Sequence, residues 1–489
     1  MQNQYEMVVG LEVHAELSTR SKIYCSCHNQ FGLEVNSVCC PICMGFPGAL
    51  PTLNKKVVEY AIKMGHALHC TIHNICKQDR KNYFYPDLPK AYQISQADIP
   101  LCENGYLDVL VNDKEVKRIG ITRIHIEEDA GKLLHDNSFD GSLVDFNRCG
   151  VPLIEIVSEP DFRSSEQAKA YLETIRSYLL YLGISDAKMQ EGSIRCDVNV
   201  SVHKPGEPFG TRCEMKNVNT FSGAVRAIEY EYVRQVEQLN AGIPIEQETR
   251  KWDDLSGKTI PLRSKENAND YRYFPEPDLK TIFIPKEEVD TLKEQIPEMP
   301  NDKTLRYQKE YNLSFTDASL LAEDLVRAHF FEQILASDSR INPRTVAHWI
   351  LGEVSKVMNE TGKSPSELGL KSNAMAQLLL AIDIGTISNT AGKTVFSALL
   401  SGDQNVDRII EEKGLKQISD SHALEQIVDE VLAANEKSVS DYRSGKTNAL
   451  GYLVGQCMKA SKGKGNPSLL KETLLKRLTN RHESQSKNT

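Results

Sequence analysis

Residues 124–132 read Ile124-His125-Ile126-Glu127-Glu128-Asp129-Ala130-Gly131-Lys132. The first half alternates with the two-residue period of a strand: Arg123, His125 and Glu127 fall on one face, Ile124 and Ile126 on the other. Three consecutive acids then break the alternation, ahead of a glycine and a lysine. Adjacent carboxylates repel, so a fold that keeps them needs water, basic partners or a divalent cation as compensation. A solvated turn at a strand end is one reading and the wall of a cation site is the other; the stretch alone does not choose between them.

Working outward, the same two-faced pattern recurs. In 5–17, Glu12, His14 and Glu16 share a face opposite Leu11, Val13, Ala15 and Leu17. In 153–157, Glu155 sits in the middle of an apolar run, where an unpaired carboxylate is expensive to bury, so it is expected to face a polar cavity. In 193–202, Arg195, Asp197, Asn199 and Ser201 oppose Cys196, Val198, Val200 and Val202; in 211–217, Arg212, Glu214 and Lys216 oppose Cys213 and Met215. Amphipathic helices are expected at 164–182, with Ser164 and Gln167 as a capping box and Gly183 as the stop, and at 223–241 before Gly242. Strands of this kind with helices over their apolar sides predict an α+β fold: a mostly antiparallel sheet cradle with an open, ionisable concavity. The alternative is an ordinary sheet with one solvated face, but solvated faces favour Lys, Thr and Ser over carboxylates centred in apolar runs.

The chain has 489 residues, enough for two to four domains. Strand alternation fades beyond about 290, where Pro297 and Pro300 punctuate a boundary. The expected division is 1–292 as the cradle, 293–409 as an all-helical domain and 410–489 as a small helical tail. Net charge is −9, unevenly spread: residues 441–489 hold ten Lys/Arg and three Asp/Glu, a net of +7. A basic tail on an acidic body points to an anionic partner, nucleic acid first, with a solubilising tail as the other reading. No apolar run approaches the ~18 residues of a membrane span. Met1–Glu6 lacks a basic, apolar leader, so a cytoplasmic protein is expected.

Twelve cysteines in such a chain do not read as a disulfide framework. Cys25-x-Cys27 and Cys40-x-x-Cys43, separated by a short loop, suit a closed tetrahedral thiolate zinc site; buried reduced thiols are the other reading. Residues 79–89, Asp79-Arg80-Lys81-Asn82-Tyr83-Phe84-Tyr85-Pro86-Asp87-Leu88-Pro89, place cations beside three aromatics in a rigid loop, and a related run lies at Asp270–Leu279. The two runs hint at paired loops.

Hard oxygen ligands with one imidazole suit Mg²⁺ or Mn²⁺, and carboxylates with nearby arginine and lysine match phosphoryl transfer. A P-loop is excluded. Four Gly-Lys-Ser/Thr triplets begin at Gly257, Gly362, Gly392 and Gly445, but the glycine required five residues earlier is Trp252, Val357, Ile387 or Ser440. Residue types leave two classes open: a metal-dependent phosphotransferase acting on a nucleic-acid-linked substrate, or a non-catalytic, zinc-containing RNA-binding protein.

Five motifs, in order, resemble a known family: Val9–Leu17, Cys40–Pro51, Arg80–Lys90, His125–Lys132 and Asp270–Leu279 are similar to the B-subunit family of bacterial glutamyl-tRNA(Gln)/aspartyl-tRNA(Asn) amidotransferases. The resemblance implies a heterotrimer in which this component uses ATP and Mg²⁺ to phosphorylate the side-chain carboxyl of a misacylated tRNA. Ammonia from an amidase A subunit then displaces phosphate, and the two are joined by a small C subunit. By the same resemblance, Glu12, His14, Glu127 and Glu128 are expected metal ligands, while Glu155 and Glu214 take metal or ammonia-path roles. The four cysteines match a zinc site that some members keep. The helical regions and tail, with Lys459, Lys462 and Lys464, are expected to hold tRNA. Arg80, Lys81, Arg195 and Lys216 are our own assignments for phosphate or the substrate carboxylate. Asp129, out of the alternation, is left without a role.

Overall fold

A computed structural model describes residues 4–135, 141–264, 271–418, 421–461 and 463–483. It divides into two compact units: Met1–Arg306 with Ala322–Asp324, and Tyr307–Leu321 with Leu325–Thr489.

The first unit is built on a nine-stranded sheet. Its strands are β1 (Glu6–Glu16), β2 (Thr71–Ile72), β3 (Cys102–Leu110), β4 (Val116–Glu128), β5 (Pro152–Ser158), β6 (Ile194–His203), β7 (Cys213–Val218), β8 (Glu248–Asp253) and β9 (Lys258–Ser264). The spatial order is β9-β8-β7-β6-β1-β5-β4-β3-β2. Every pairing is antiparallel except β7 with β8. The fold is therefore the expected α+β, antiparallel-dominated cradle followed by a helical C-terminal region.

Register carries the alternation across the sheet. His14 of β1 lies opposite Glu155 of β5 and Arg195 of β6, and Glu155 lies opposite His125 of β4. One face thus collects the ionisable residues. The other collects Val9, Leu11, Val13, Ile124, Ile126, Ile154, Ile156, Val198 and Val200, all buried in one core. Three helices cover that face: α1 (Lys55–Ala67), α2 (Ser165–Tyr181) and α3 (Phe221–Asn240). Each fully buried aliphatic side chain there contributes roughly 1.5–3 kcal/mol. Ser164 caps α2 as expected, its Oγ accepting from Gln167 N at 3.2 Å, while Gln167 Oε1 reaches one residue beyond the capping-box partner and accepts from Arg163 N at 2.8 Å. Gly183, at φ +63°, ends the helix in the left-handed region that suits glycine.

Strands β3, β8 and β9 go beyond the alternating segments picked out by sequence. β3 contains Asn104-Gly105, a turn-like pair, yet Gly105 is needed for close approach, because a Cβ there would lie 2.5 Å from the Leu68 carbonyl oxygen. The two aromatic runs do meet: Arg80 pairs with Phe274 and Asp79 with Pro275 in a three-stranded sheet that also holds Tyr92–Ser95. Helix Lys286–Glu294 sends Val289 and Leu292 into the first core, and Met299 follows, which carries the first unit on to Arg306.

The second unit is helical. Leu424, Val428, Leu453, Cys457, Leu470 and Leu474 form a core shared by helices Ser421–Ala434, Asn448–Ala460 and Pro467–Glu483. Among the described residues, no helix is long and apolar enough to cross a membrane.

Candidate active site

Two acid clusters sit side by side on the concave face, and the strand register makes both. In the first, His14 Nε2 lies 3.3 Å from Glu155 and 3.9 Å from Glu127, while His125 Nε2 lies 3.3 Å from Glu155 and 3.6 Å from Glu127. In the second, Glu12, Asp197 and Glu214 converge. The ligand atoms of His14, Glu127 and Glu155 all lie within 4.8 Å of one another, as do those of Glu12, Asp197 and Glu214. Asn199 Nδ2 donates to Glu12 Oε1 at 3.0 Å, Thr249 Oγ1 donates to Glu214 Oε2 at 2.9 Å, and Lys216 Nζ donates to Asp197.

Gathering buried acids has electrostatic consequences. Burial pushes the Glu12 carboxyl up, and the neighbouring Glu155, Asp197 and Glu214 push it further. Burial works against a charged imidazole at His14, but Glu155, then Glu127 and Asp197, outweigh it and push His14 up to about 9. Burial likewise raises Glu155, yet His125 and His14 more than compensate and hold it well below the usual carboxylate range. In the bare protein, positive charge on imidazole offsets the carboxylates. A divalent cation does the same work, and one imidazole among hard oxygen donors suits Mg²⁺ or Mn²⁺.

A cavity of about 500 Å³ opens over both clusters. Lys81, Arg123 and Arg212 line it alongside the acids, and Tyr271 and Tyr273 form an aromatic wall. Lys81 Nζ lies 5.1 Å from the Tyr271 ring centroid, and Tyr83, Tyr271 and Tyr273 pack edge to face. Among the described residues these three cations make no ion pair, so they are available to an anionic ligand.

The structure brings together seven of the expected residues: Glu12, His14, Glu127, Glu155, Glu214, Lys81 and Lys216. It does not bring Glu128 to them. Alternation turns Glu128 away from Glu127, and its carboxylate accepts from Lys90 Nζ and from Ile94 N at 2.9 Å. Arg80 and Arg195 are also engaged elsewhere. Arg80 forms a bidentate pair with buried Glu276 at 2.6 and 2.8 Å and stacks on Tyr92. Arg195 donates to Asp129 at 2.5 Å, which gives Asp129 a structural partner. Asp197, His125, Arg123 and Arg212 join the site unassigned by sequence. The period-2 count that placed His14 and Glu127 applies to each of them, and only the cross-strand register was missing.

Cys25, Cys27, Cys40 and Cys43 converge, with Cys43 Sγ 3.4 Å from Cys25, 3.7 Å from Cys40 and 3.9 Å from Cys27. A tetrahedron with ~2.3 Å zinc–sulfur arms has edges of about 3.8 Å, so the four thiols fit zinc as they stand. Buried Lys22 sends Nζ to Val38 O at 2.7 Å and lies 3.6 Å from Cys43 Sγ, a cation placed to offset thiolate charge. A hydrogen bond from Cys25 and the nearby Lys22 favour the Cys43 thiolate. In the second unit, Lys459 lies in the last turn of helix Asn448–Ala460 and Lys464 in the loop after it. Lys462 and Asp270 lie outside the described residues.

Paired carboxylate clusters that could hold a divalent cation, beside cations that make no ion pair among the described residues, are what the antiparallel cradle presents in this cavity. Residues 7–290 match the GatB/GatE catalytic domain and residues 329–478 match the GatB domain, and the chain belongs to this family. The chain is 53% identical over 479 residues to the B subunit of the aspartyl/glutamyl-tRNA(Asn/Gln) amidotransferase of Caldicellulosiruptor saccharolyticus, covering 97% of this chain and 99% of that one. It is 53% identical over 478 residues to the protein of the same name from Thermoanaerobacter pseudethanolicus, covering 97% and 100%. Over 478 residues it is 49% identical to a protein of that name, designated 2, from Clostridium acetobutylicum, covering 97% and 99%.

Proposed function

We propose that this chain is the activating component of a tRNA-dependent amidotransferase. Its substrate is Glu-tRNA(Gln), Asp-tRNA(Asn) or both, and it works in the cytoplasm with an amidase subunit and a small bridging subunit. A carboxylate oxygen of the misacylated side chain attacks the γ-phosphorus of ATP, and ADP leaves. Ammonia then attacks the carbonyl carbon of the acyl phosphate, and inorganic phosphate departs with the oxygen that made the attack. Activation is needed because oxide is a very poor leaving group from a carboxylate and phosphate is a good one.

The observation that carries this reading is the juxtaposition of the His14–Glu127–Glu155 and Glu12–Asp197–Glu214 clusters with Lys81, Arg123 and Arg212 in one cavity. A structural role explains it poorly, since buried like charges are costly to a fold that gains nothing from them. His14, Glu127, Glu155, Glu12, Asp197 and Glu214 are the residues that would hold Mg²⁺, which neutralises phosphate oxygens when bound. Lys81, Arg123 and Arg212 bind the remaining anionic oxygens and restrain the substrate carboxylate toward the phosphorus. Lys216 stays on Asp197 and Glu214 and keeps the second cluster from carrying its full negative charge. The cysteine loop holds a structural zinc. Lys459 and Lys464 belong to the surface that meets tRNA.

The test is amide formation by the reconstituted complex on each misacylated tRNA, supplied with free ammonia in place of glutamine, with and without ATP. Amide on ammonia that depends on ATP supports the proposal. Amide without ATP sinks it.

A further inference from the structure

Arg123 and His125 lie two residues apart on β4, hence on one face of the sheet, and both line the cavity over the acid clusters. Arg123 Nε approaches His125 Nδ1 at 3.4 Å. A guanidinium nitrogen only donates, so Nδ1 accepts and Nε2 is the nitrogen that donates to the acids. Nε2 faces two of them at once, Glu155 Oε2 at 3.3 Å and Glu127 Oε2 at 3.6 Å. We infer that His125 is a positioning residue that couples the two halves of the site: an oxyanion held by Arg123 strengthens cation binding at Glu127 and Glu155, and the cation strengthens anion binding in return. This rests on the Mg²⁺-dependent reading above.

His125 is placed to orient acids. Its side chain is 3% exposed, against 21% for His14, so it stands behind the carboxylates while His14 stands at the open side. Its hold on Glu127 is shared with Ser95, whose Oγ donates to the same Oε2 at 3.2 Å. That leaves Oε1 as the oxygen on the His14 side, 3.9 Å from Nε2 of that ring. Glu155 lies directly across from His125 in the register of β4 with β5. Two of the three acid and imidazole groups that converge there are therefore oriented by one buried ring. Hydrogen-bond partners of metal ligands carry roughly 10- to 100-fold of metal affinity.

The sign of the coupling follows from the chain of donors. The Arg123 charge against Nδ1 withdraws electron density from the ring, which makes Nε2 a stronger donor and the two carboxylates less basic toward a cation. An oxyanion on the guanidinium offsets that charge and returns basicity to the acids. Linkage makes the effect equal in the other direction.

Two substitutions divide the ring. His125→Gln keeps a donor where Nε2 stands and loses the acceptor for Arg123, whereas His125→Asn keeps an acceptor near Nδ1 and loses the reach to the carboxylates. Mg²⁺ affinity of the reconstituted complex is measured by titration calorimetry without added anion, with inorganic phosphate, and with glutarate. Free Mg²⁺ is corrected for complexation by each anion. Phosphate stands for a nucleotide oxyanion and glutarate for the substrate carboxylate, so the anion that strengthens Mg²⁺ binding names the group on Arg123. In the parent, that anion is expected to tighten Mg²⁺ roughly tenfold, and in both variants by no more than about twofold. Without anion, His125→Gln is expected to bind Mg²⁺ within about threefold of the parent, and His125→Asn about tenfold more weakly. Melting temperatures confirm folding, and either variant alone carries the test. Undiminished coupling in a folded variant overturns the inference, because the anion then acts on the cation without the ring. A parent in which neither anion changes Mg²⁺ affinity overturns it too. A parent that binds no Mg²⁺ before any anion is added sinks the underlying reading, and this inference with it.

Discussion

His14 Nε2 and a carboxylate oxygen of Glu155 lie 3.3 Å apart, on neighbouring antiparallel strands and in register with one another. Glu155 makes the same 3.3 Å approach to His125 on its other side. One carboxylate is therefore held between two imidazoles in a row across three strands, and side chains that are 30 to 141 residues apart in sequence act as one unit.

Removing that central charge tests the row directly. Glu155→Gln is expected to lower amide formation by on the order of 10²-fold or more and to lower the melting temperature of the metal-free protein as well, because His14 and His125 lose the carboxylate they share. Steady-state rates at several Mg²⁺ concentrations, with thermal melts of the same samples, check this. A fall in melting temperature with activity and its Mg²⁺ dependence unchanged would mean that Glu155 is mainly structural.

The basic residues divide by their partners. Arg123→Ala and Arg212→Ala are expected to lower kcat/KM by roughly 10²-fold at nearly unchanged stability. Arg80→Ala leaves buried Glu276 without its bidentate partner and is expected to cost about 3 kcal/mol of stability. Urea denaturation of the purified chains, beside the activity assay, distinguishes the two groups.

Glu127 and Glu128 are adjacent and should behave in opposite ways. Glu127→Gln is expected to weaken Mg²⁺ binding, seen by titration calorimetry. Glu128→Gln is expected to leave Mg²⁺ binding intact and to destabilise the fold by about 1–3 kcal/mol, since Lys90 is then buried without its counter-charge. A joint Lys90→Met, Glu128→Met replacement should recover much of that loss. Equal effects of the two single changes on Mg²⁺ affinity would put Glu128 back among the ligands.

The cysteine loop predicts one zinc per chain by elemental analysis. Its removal by a strong chelator, or Cys43→Ser, should lower the melting temperature by several degrees without shifting the Mg²⁺ dependence of any residual activity.

The difference between Glu127 and Glu128 also shows how far the sequence was legible. Period-2 alternation placed His125 and Glu127 on one face, but the three acids read as the end of that alternation, whereas β4 continues through Glu128. The family resemblance grouped both acids; in the structure Glu127 joins the His14–Glu155 cluster while Glu128 accepts from Lys90 and Ile94. Arg80 and Arg195 mark the opposite limit. Nothing local to Arg80 reveals that Glu276, far along the chain, will neutralise it. Ion-pair partners are a property of the register between distant segments, which no window of sequence contains. Strands β1, β4, β5, β6 and β7 were legible because one face is apolar and the other ionisable. β3 was not, because its Asn104-Gly105 reads as a turn and serves instead for close approach.

The most direct measurement of the central claim follows an atom. Misacylated tRNA carrying ¹⁸O in the side-chain carboxyl is given to the reconstituted complex with ATP and ammonia, and the released phosphate is analysed by mass spectrometry. If this chain's acid and cation cavity activates the carboxyl by phosphorylation, each amide formed transfers one ¹⁸O to phosphate. Amide formed at normal rates with unlabelled phosphate would contradict the account.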